Sequence, residues 1–243
     1  MKKIIIIGAS SGMGMRIATD FARAGWRVGI AARNEQRLAA VRDLFPDRIT
    51  SSVIDVTAPD AVKRFEDLIE ELDGMDILLY AAGTGWYNPV LNLGKDEATI
   101  GVNVTGFTRI INAAYRYFKA TANASKGRIA AITSVAGVKG LGVSAAYAAS
   151  KRYQWTYLQA IDQLAHSQHV NVIDLRPGFV DTPLLEGNKN YPMLMSIDYA
   201  APRIEKAIMA RRRVATIDSR WKIVAGLWGM IPNCLWPCLD IKM

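Results

Sequence analysis

Apolar runs of strand length alternate with helical patterns along most of the chain. The strand-length runs cover residues 3–7, 27–32, 50–53, 75–80, 128–133, 171–175 and 214–217. Because each right-handed crossover must pack back on the sheet, this alternation predicts an α/β fold with a doubly wound parallel β-sheet and helices on both faces. No internal repeat or low-complexity linker interrupts the pattern, so we predict one domain over residues 1–220 and a hydrophobic tail over residues 221–243.

Residues that could take part in binding or catalysis stand at the carboxyl ends of these runs. In chain order they are Gly8, Arg33, Asp55, Gly83, Ser134 and Pro177. Open parallel sheets bind their ligands at this edge. The pattern therefore predicts one binding cleft assembled from successive strand ends.

A glycine-rich turn follows the first strand. The segment Gly8-Ala-Ser-Ser-Gly12-Met-Gly14 joins the apolar run to a helical pattern. Glycines at such a turn let the backbone approach a pyrophosphate, whose charge then faces the free amides of the helix. Glycine also serves ordinary tight turns. Three residues separate Gly8 from Gly12 and one residue separates Gly12 from Gly14, so the spacing differs from that of the G-x-G-x-x-G motif.

A tyrosine and a lysine lie four residues apart in the sequence YAASK, at Tyr147 and Lys151. On a helix the two side chains share one face. A nearby ammonium favours the phenolate and lowers the pKa of a phenol, which is the arrangement of a tuned acid and base. Taken alone, the pair is equally typical of a half-buried aromatic residue beside a snorkelling lysine.

The glycine spacing and YAASK together resemble the short-chain dehydrogenase/reductase family. Further blocks occur in the family's order over residues 1–217: Asp55-Val56, Tyr80-Ala81-Ala82-Gly83, Asn103, Ser134 and Pro177-Gly178. The resemblance implies a Rossmann-type fold and an NAD(P)-dependent oxidoreductase. The family usually reads N-N-A-G where this chain has Tyr80 and Ala81, which puts the local hydrogen bonding in question.

The resemblance also implies roles for individual residues. Tyr147 protonates a carbonyl oxygen during hydride transfer, and Ser134 hydrogen-bonds the same oxygen. Lys151 holds the nicotinamide ribose and lowers the pKa of Tyr147, while Asn103 organises a relay water. A buried amide satisfied by the backbone is the alternative for Asn103. The implied cofactor-binding set is Gly8, Ser10, Ser11, Gly12, Met13, Gly14, Arg33, Asp55, Val56, Ala81, Ala82, Gly83, Tyr147, Lys151, Pro177, Gly178, Val180 and Thr182.

Cofactor preference depends on the end of the second strand. Enzymes of this fold that use NAD place an acidic residue there, whereas this chain has Ala32 followed by Arg33. A guanidinium pairs well with a phosphate, so we predict NADP(H) over NAD(H). Ser11 stands where the family often has a second basic residue, so we expect a modest preference.

The predicted substrate wall is apolar, which favours a hydrophobic ketone, aldehyde or secondary alcohol. Its residues are Trp86, Tyr87, Val135, Ala136, Leu141, Val143, Phe179, Met193 and Met195. Each of them is equally compatible with ordinary core. Residues 181–196 are expected to form a lid over the substrate.

Composition narrows the remaining classes of protein. The chain has 243 residues, is 51% hydrophobic and carries a net charge of +8. Its excess of basic residues near Arg211-Arg212-Arg213 lacks any aromatic platform, so we expect helix-end cations and no nucleic-acid partner. Cys234, Cys238, His166 and His169 are too few for a disulfide framework or a metal site. The first strand follows Lys2 directly, which suggests a cytoplasmic protein without a signal peptide.

The tail has a different character. Residues 223–239 carry no formal charge, and Trp221, Trp228 and Trp236 lie in or beside this segment. It is too short and irregular for a membrane span. A peripheral membrane contact, a cover for the substrate pocket and an oligomer contact remain three alternatives.

These observations predict an NADPH-dependent oxidoreductase that interconverts a carbonyl and an alcohol on a small hydrophobic substrate. We expect Tyr147 to be the general acid and base, no metal to take part, and the protein to form a homodimer or homotetramer. The alternative is a dinucleotide-binding sensor or scaffold without catalysis. A sensor would not need the four residues Asn103, Ser134, Tyr147 and Lys151 together.

Overall fold

The computed structural model describes residues 1–121, 127–185 and 187–239. Residue 186 of the predicted lid and residues 240–243 of the predicted tail lie outside this range. The strands are β1 (Lys3–Ile7), β2 (Arg27–Ala32), β3 (Ile49–Val53), β4 (Ile77–Tyr80), β5 (Arg128–Ile132), β6 (Asn171–Pro177) and β7 (Val214–Ile217). The helices are α1 (Gly12–Arg23), α2 (Glu35–Arg42), α3 (Ala61–Glu71), α4 (Leu93–Ile100), α5 (Phe107–Ala120), α6 (Ala145–Ala165), α7 (Ile197–Met209) and α8 (Ser219–Met230).

The seven strands form one parallel sheet in the order β3-β2-β1-β4-β5-β6-β7. The predicted doubly wound Rossmann-type sheet is therefore confirmed. The strand order reverses between β1 and β4, which opens a crevice at their carboxyl ends. β6 runs two residues further than predicted because Arg176 and Pro177 pair with β7, a contact that no local pattern shows.

Two hydrophobic cores lie on opposite faces of the sheet. Ile4 and Ile6 of β1 pack in the core shared with α1 and α7, and Ile5 and Ile7 pack in the core shared with α3 and α5. Successive strand residues point to opposite faces, so a strand covered on both sides must be apolar throughout. This explains the unbroken isoleucine run of β1.

A π-helix, Gly101–Gly106, connects α4 to α5 and carries the fully buried Asn103. π-helical turns are rare and occur frequently at functional sites. The phenol of Tyr80 at the end of β4 donates to the Val102 carbonyl at 3.0 Å. This contact supplies a strand-end hydrogen bond at the position where the sequence departs from the family's asparagines.

The C-terminal segment begins differently from the prediction. Helix α8 starts at Ser219, and the carboxylate of Asp218 accepts from the Arg220 amide at 2.9 Å. Trp221 is only 2% exposed and packs in the same core as α1 and α7. The boundary drawn at residue 221 therefore falls inside a helix. Within the described part of the chain, no helix has the length and apolar character needed to cross a membrane.

Candidate active site

A cleft of about 820 Å³ lies at the carboxyl ends of the strands. The structure brings Ser134, Tyr147 and Lys151 together in its lining. Of the predicted cofactor-binding residues, all except Asp55 line it: Gly8, Ser10, Ser11, Gly12, Met13, Gly14, Arg33, Val56, Ala81, Ala82, Gly83, Tyr147, Lys151, Pro177, Gly178, Val180 and Thr182. Asn103 lies outside the lining.

The glycine turn leaves room and free amides at the start of α1. Gly8 has φ +90°, and a Cβ there would lie 2.5 Å from the Ala82 nitrogen. A Cβ at Gly14 would collide with the Gly8 carbonyl oxygen. Ser11 makes no side-chain cap, and no acidic residue occupies the first turn of the helix. The residues present therefore suit a pyrophosphate, which needs unpaired amides and no competing negative charge.

Two arginines line the cleft beyond the end of β2. Arg33 and Arg37 are both exposed. Asn34 caps helix α2 by accepting from the Arg37 amide at 2.8 Å. Arg37 was not predicted as a site residue. It lies four residues after Arg33, in the first turn of α2, and this short spacing was the sign of its position that the sequence offered.

Asp55 does not line the cleft. Its carboxylate accepts from the Thr57 amide at 2.9 Å and from the Thr57 hydroxyl at 2.7 Å. Burial raises the pKa of Asp55, but these hydrogen bonds outweigh burial and leave the pKa below its usual value. The aspartate stabilises its own turn, while its neighbours Ile54 and Val56 line the cleft.

Tyr147 lies near the start of α6, and Ser134 follows β5. The hydroxyl of Ser134 accepts from the Ala136 amide at 3.1 Å, which holds it at the start of a short 3-10 helix. Burial raises the pKa of Tyr147, and a hydrogen bond with Ser134 lowers it, with a net upward direction. The phenol is therefore held in its protonated form at neutral pH.

Lys151 is buried, and its Nζ donates to the Ile132 carbonyl at 3.3 Å and to Gln154 Oε1 at 3.1 Å. Burial lowers its pKa to about 8, although the carboxylate of Asp174 raises it. Its Nζ lies 5.6 Å from the centroid of the Tyr147 ring. The net direction of the Tyr147 pKa is upward, because desolvation of the phenol is the largest influence on it. An effect of Lys151 on that pKa stays a prediction.

Asn103 uses its side chain to hold neighbouring segments together. Its Oδ1 accepts from the Thr84 amide at 3.0 Å, and its Nδ2 donates to the Thr84 carbonyl at 2.7 Å and to Ser150 Oγ at 3.0 Å. The side chain therefore matches the alternative of a buried, satisfied amide, and the relay water stays a prediction. The residue clamps the loop after β4 to helix α6.

The apolar wall is formed by most of the predicted residues and by several others. Trp86, Tyr87, Val135, Ala136, Leu141, Val143 and Phe179 line the cleft, together with Leu184, Leu185, Tyr191, Trp221 and Trp228, which the sequence analysis did not assign to the wall. Met193 and Met195 are absent from the lining: Met195 is buried in the core, and Met193 is partly buried against it. The main chain of Met195 is bridged to Val180.

The predicted lid and the tail both reach this wall. The Phe179 and Tyr191 rings stack at 4.4 Å, which places part of the lid beside the cleft. In the tail, Lys139 Nζ donates to the Ile231 carbonyl at 2.8 Å, and Trp236 Nε1 donates to the Gly140 carbonyl at 2.7 Å. The tail is therefore tied to the loop that precedes α6.

Comparison with known proteins identifies the family. Residues 2–191 match the family model described as short chain dehydrogenase. An uncharacterized oxidoreductase of Myxococcus xanthus is 31% identical over 227 residues, which cover 90% of this chain and 87% of that protein. A 3-ketodihydrosphingosine reductase of Bacteroides thetaiotaomicron is 30% identical over 201 residues, which cover 81% of this chain and 71% of that protein. The chain therefore belongs to the short-chain dehydrogenase/reductase family of NAD(P)-dependent oxidoreductases, as predicted.

Solved structures share the fold. A short-chain dehydrogenase of Burkholderia cenocepacia, in complex with NADP, superposes with a TM-score of 0.83 at 20% identity, and all of both chains is covered. A 3-ketoacyl-(acyl-carrier-protein) reductase of Brucella melitensis, complexed with NADH, gives a TM-score of 0.80 at 23% identity and covers 90% of this chain and 96% of its own. At these identities the likeness concerns the fold alone.

Proposed function

We propose that the protein is an NADPH-dependent reductase that interconverts a carbonyl and an alcohol on a small hydrophobic substrate. One observation carries this proposal. Ser134, Tyr147 and Lys151 line a single cleft, with the glycine turn at one end and an apolar wall at the other. The polar groups needed for proton transfer thus lie between a site suited to a dinucleotide and a site suited to an apolar molecule.

Tyr147 is the proposed general acid in the direction of reduction. The raised pKa keeps a proton on its phenol at neutral pH, and that proton can pass to a carbonyl oxygen. Ser134, which lines the cleft together with Tyr147, can donate to the same oxygen as its negative charge develops. A bound nicotinamide dinucleotide supplies the hydride for reduction and accepts it for oxidation. Lys151 is the proposed ribose ligand.

The proposed NADPH preference rests on Arg33 and Arg37. Both guanidinium groups line the cleft at the end of β2, where Ala32 leaves no carboxylate to repel a phosphate. Charge-assisted hydrogen bonds of this kind contribute about 1.5–3 kcal/mol each. Exposure to solvent reduces that contribution, so a selectivity of about tenfold is the expected scale.

The proposed substrate is an apolar ketone. The wall opposite the glycine turn is built from aromatic and aliphatic side chains, including Trp86, Leu141 and Trp228. The Bacteroides relative is named for reduction of a 3-keto compound. We therefore place long-chain 3-keto compounds first among the candidate substrates.

The deciding experiment is a carbonyl panel with consumption of NADPH as the readout. The panel includes 3-ketodihydrosphingosine, acyl ketones, steroids and quinones.

Tyr147→Phe should lower the rate by roughly 100- to 10,000-fold while leaving the Kd for NADPH unchanged. Tyr153→Phe is the matched control, because Tyr153 lies on the same helix but not in the cleft lining. If Tyr147→Phe keeps most of the wild-type rate, Tyr147 is not the acid. NADPH binding without turnover of any compound would favour the sensor alternative.

We further propose that the tail acts as a cover for the substrate end of the cleft. Trp221 and Trp228 contribute to the cleft lining, and Trp236 packs edge-on against Trp228 with 5.9 Å between ring centroids. On the side of α8 away from the cleft, Ile223 and Met230 are 64% and 71% exposed. That outer face is where a lipid surface or a second subunit would bind.

Truncation after Met230 separates these roles, because it removes Trp236 but keeps Trp221 in the core. A higher KM for a hydrophobic ketone, with unchanged mass and unchanged vesicle flotation, is the expected result. Lost flotation would instead assign the segment to a membrane contact. A reduced mass in solution would assign it to the proposed homodimer or homotetramer.

A further inference from the structure

Gln154 is a fully buried amide on the same face of α6 as the catalytic pair. It follows Lys151 by three residues and Tyr147 by seven, which places the three side chains along one face of the helix. Its Oε1 accepts from Lys151 Nζ at 3.1 Å, and its Nε2 donates to the Asn103 carbonyl at 2.9 Å. An ammonium only donates and a carbonyl only accepts, so the orientation of the amide is determined by its neighbours.

The two hydrogen bonds connect Lys151 to the π-helix. Asn103 lies in that π-helix, and its side chain is already tied to α6 through Ser150. Gln154 adds a second tie, this time through the Asn103 main chain. The Asn103 carbonyl therefore accepts from a side chain of the protein itself.

The same contact limits the positions open to Lys151 Nζ. An ammonium has three N–H donors, and two of them are directed to the Ile132 carbonyl and to Gln154 Oε1. Lys151 also lines the cleft, so its third donor can face a ligand there. A buried charge is costly unless its donors find acceptors, which gives the Gln154 oxygen an electrostatic role.

We propose that Gln154 is a positioning residue, which fixes Lys151 Nζ between α6 and the π-helix so that the ammonium presents its remaining donor to the ligand in the cleft. This inference rests on the proposed function, in which Lys151 is the ribose ligand. Gln154 is a polar residue in the middle of a helix, and the sequence pattern alone gives no reason to expect it to be buried.

The charged and titratable groups around Lys151 define the expected effect of pH. Tyr147 faces it from α6, and Asp174 acts on it from β6, where that carboxylate is paired with Arg176 at 2.6 Å. Loss of the Gln154 oxygen removes an acceptor for the charged amine and should lower the pKa of Lys151 further below about 8. A carboxylate in its place should raise that pKa.

Three variants test the proposal. Gln154→Met keeps the approximate volume and loses both hydrogen bonds. Gln154→Glu keeps the acceptor for Lys151 and loses the donor to Asn103. Gln159→Met is the matched control, because Gln159 is exposed on the same helix. The readouts are the Kd for NADPH from protein fluorescence between pH 6 and 10, and the thermal unfolding of the ligand-free protein over the same range.

We expect Gln154→Met to weaken NADPH binding about tenfold at neutral pH, and to move the alkaline loss of binding to lower pH. Gln154→Glu should move that loss to higher pH. Without ligand, the unfolded state holds more protons on Lys151 than the folded state from about pH 8 to the ordinary pKa of 10.5, so this group makes stability rise with pH there. Relative to the wild type, the rise should start at lower pH in Gln154→Met and at higher pH in Gln154→Glu.

Opposite shifts in the two variants, with none in Gln159→Met, would support the proposal. Equal losses of melting temperature at every pH would show that Gln154 only packs, and would overturn it. If Gln154→Met does not fold, the upward shift in Gln154→Glu still decides the question. The unfolding measurement needs neither turnover nor cofactor, so it remains decisive even if carbonyl reduction proves to be the wrong activity.

Discussion

The glycine-turn half of the cleft is shaped mainly by main chain, whereas the apolar half is shaped by side chains from distant segments. In the first half, Gly8 and Gly14 approach other backbone atoms too closely for a Cβ. In the second half, Trp86, Leu141 and Trp228 come from three separate parts of the chain. Backbone contacts cannot adjust to an added methyl group, but an apolar wall tolerates exchange of similar volumes. We therefore expect the first half to resist substitution and the second to determine substrate selection.

The largest expected effect is that of Gly14→Ala. The added methyl would collide with the Gly8 carbonyl and distort the turn at the start of α1. We expect loss of NADPH binding and a decrease of about 1–3 kcal/mol in the free energy of unfolding. Titration calorimetry and urea unfolding measure both quantities.

Gly226→Ala in helix α8 provides the contrast, because a Cβ there would meet nothing within 4 Å apart from the adjoining backbone of its own helix. It should leave NADPH binding intact and stabilise the helix by up to about 1 kcal/mol. If Gly14→Ala binds NADPH like the wild type, the distinction between the two halves fails.

The next effect concerns cofactor choice. Ala32→Asp combined with Arg33→Ala should reverse a preference of about tenfold for NADPH over NADH, because the carboxylate repels a phosphate and accepts from ribose hydroxyls. The ratio of kcat/KM for the two cofactors is the measurement. Arg42→Ala, at the exposed end of α2, should leave the ratio unchanged. Equal efficiency of the wild type with both cofactors would contradict the prediction.

A smaller and more selective effect is expected from Trp228→Ala in the apolar half. Loss of apolar contact area should raise the KM for a hydrophobic ketone roughly tenfold, since burial contributes about 25 cal/mol per Å². The Kd for NADPH should not change. Trp228→Phe keeps an aromatic ring and should stay close to the wild type. A change in NADPH affinity of the same size would show that the two halves are not separable.

The smallest expected effect is at the contact between α1, which begins within the glycine turn, and α7, which follows the predicted lid. Burial and the neighbouring Asp20 raise the pKa of Glu205 to about 7. The folded state therefore holds a proton that the unfolded state releases from its ordinary pKa of 4.5 upward, so this group's contribution to stability falls as pH rises from 4.5 to about 7.

Glu205→Gln should remove this dependence. The variant should melt about 2 °C above the wild type at pH 8 and no higher at pH 5. Differential scanning calorimetry at the two pH values measures the difference. Glu66→Gln, at an exposed position of α3, should show no such dependence. An equal gain at both pH values would assign the effect to packing.

Short-range spacing explains what could be predicted. The strand runs, the glycine turn and the Tyr147–Lys151 pair all depend on residues within a few positions of one another. Gln154 was not assigned to the site because its role depends on the Asn103 carbonyl, far along the chain. Trp221 was predicted only as part of the tail, because its burial depends on packing in the core shared with α1 and α7. Arg37 was missed although it stands only four residues from Arg33. Met193 and Met195 illustrate the opposite error, since an apolar residue suits a core and a cleft equally well.

The pKa of Tyr147 shows the same limit. Spacing places a lysine one helical turn away, and from this we expected a lowered pKa. In the folded protein, desolvation of the phenol is the largest influence on its pKa and raises it, while Lys151 directs its hydrogen bonds to Ile132 and Gln154. The direction of a pKa shift depends on total burial, which no local motif contains.

The sequence by itself determined the parallel sheet, the family, and the residues that stand at the strand ends, because these follow from hydrophobic periodicity and from motifs of fixed spacing. Only the tertiary structure decided that Asn103 clamps the loop after β4 to α6, and that Gln154 ties Lys151 to the π-helix. It also decided that the tail reaches the cleft wall. Hydrogen bonds and burial are properties of side chains brought together from separate segments, so they become definite only when the chain is packed.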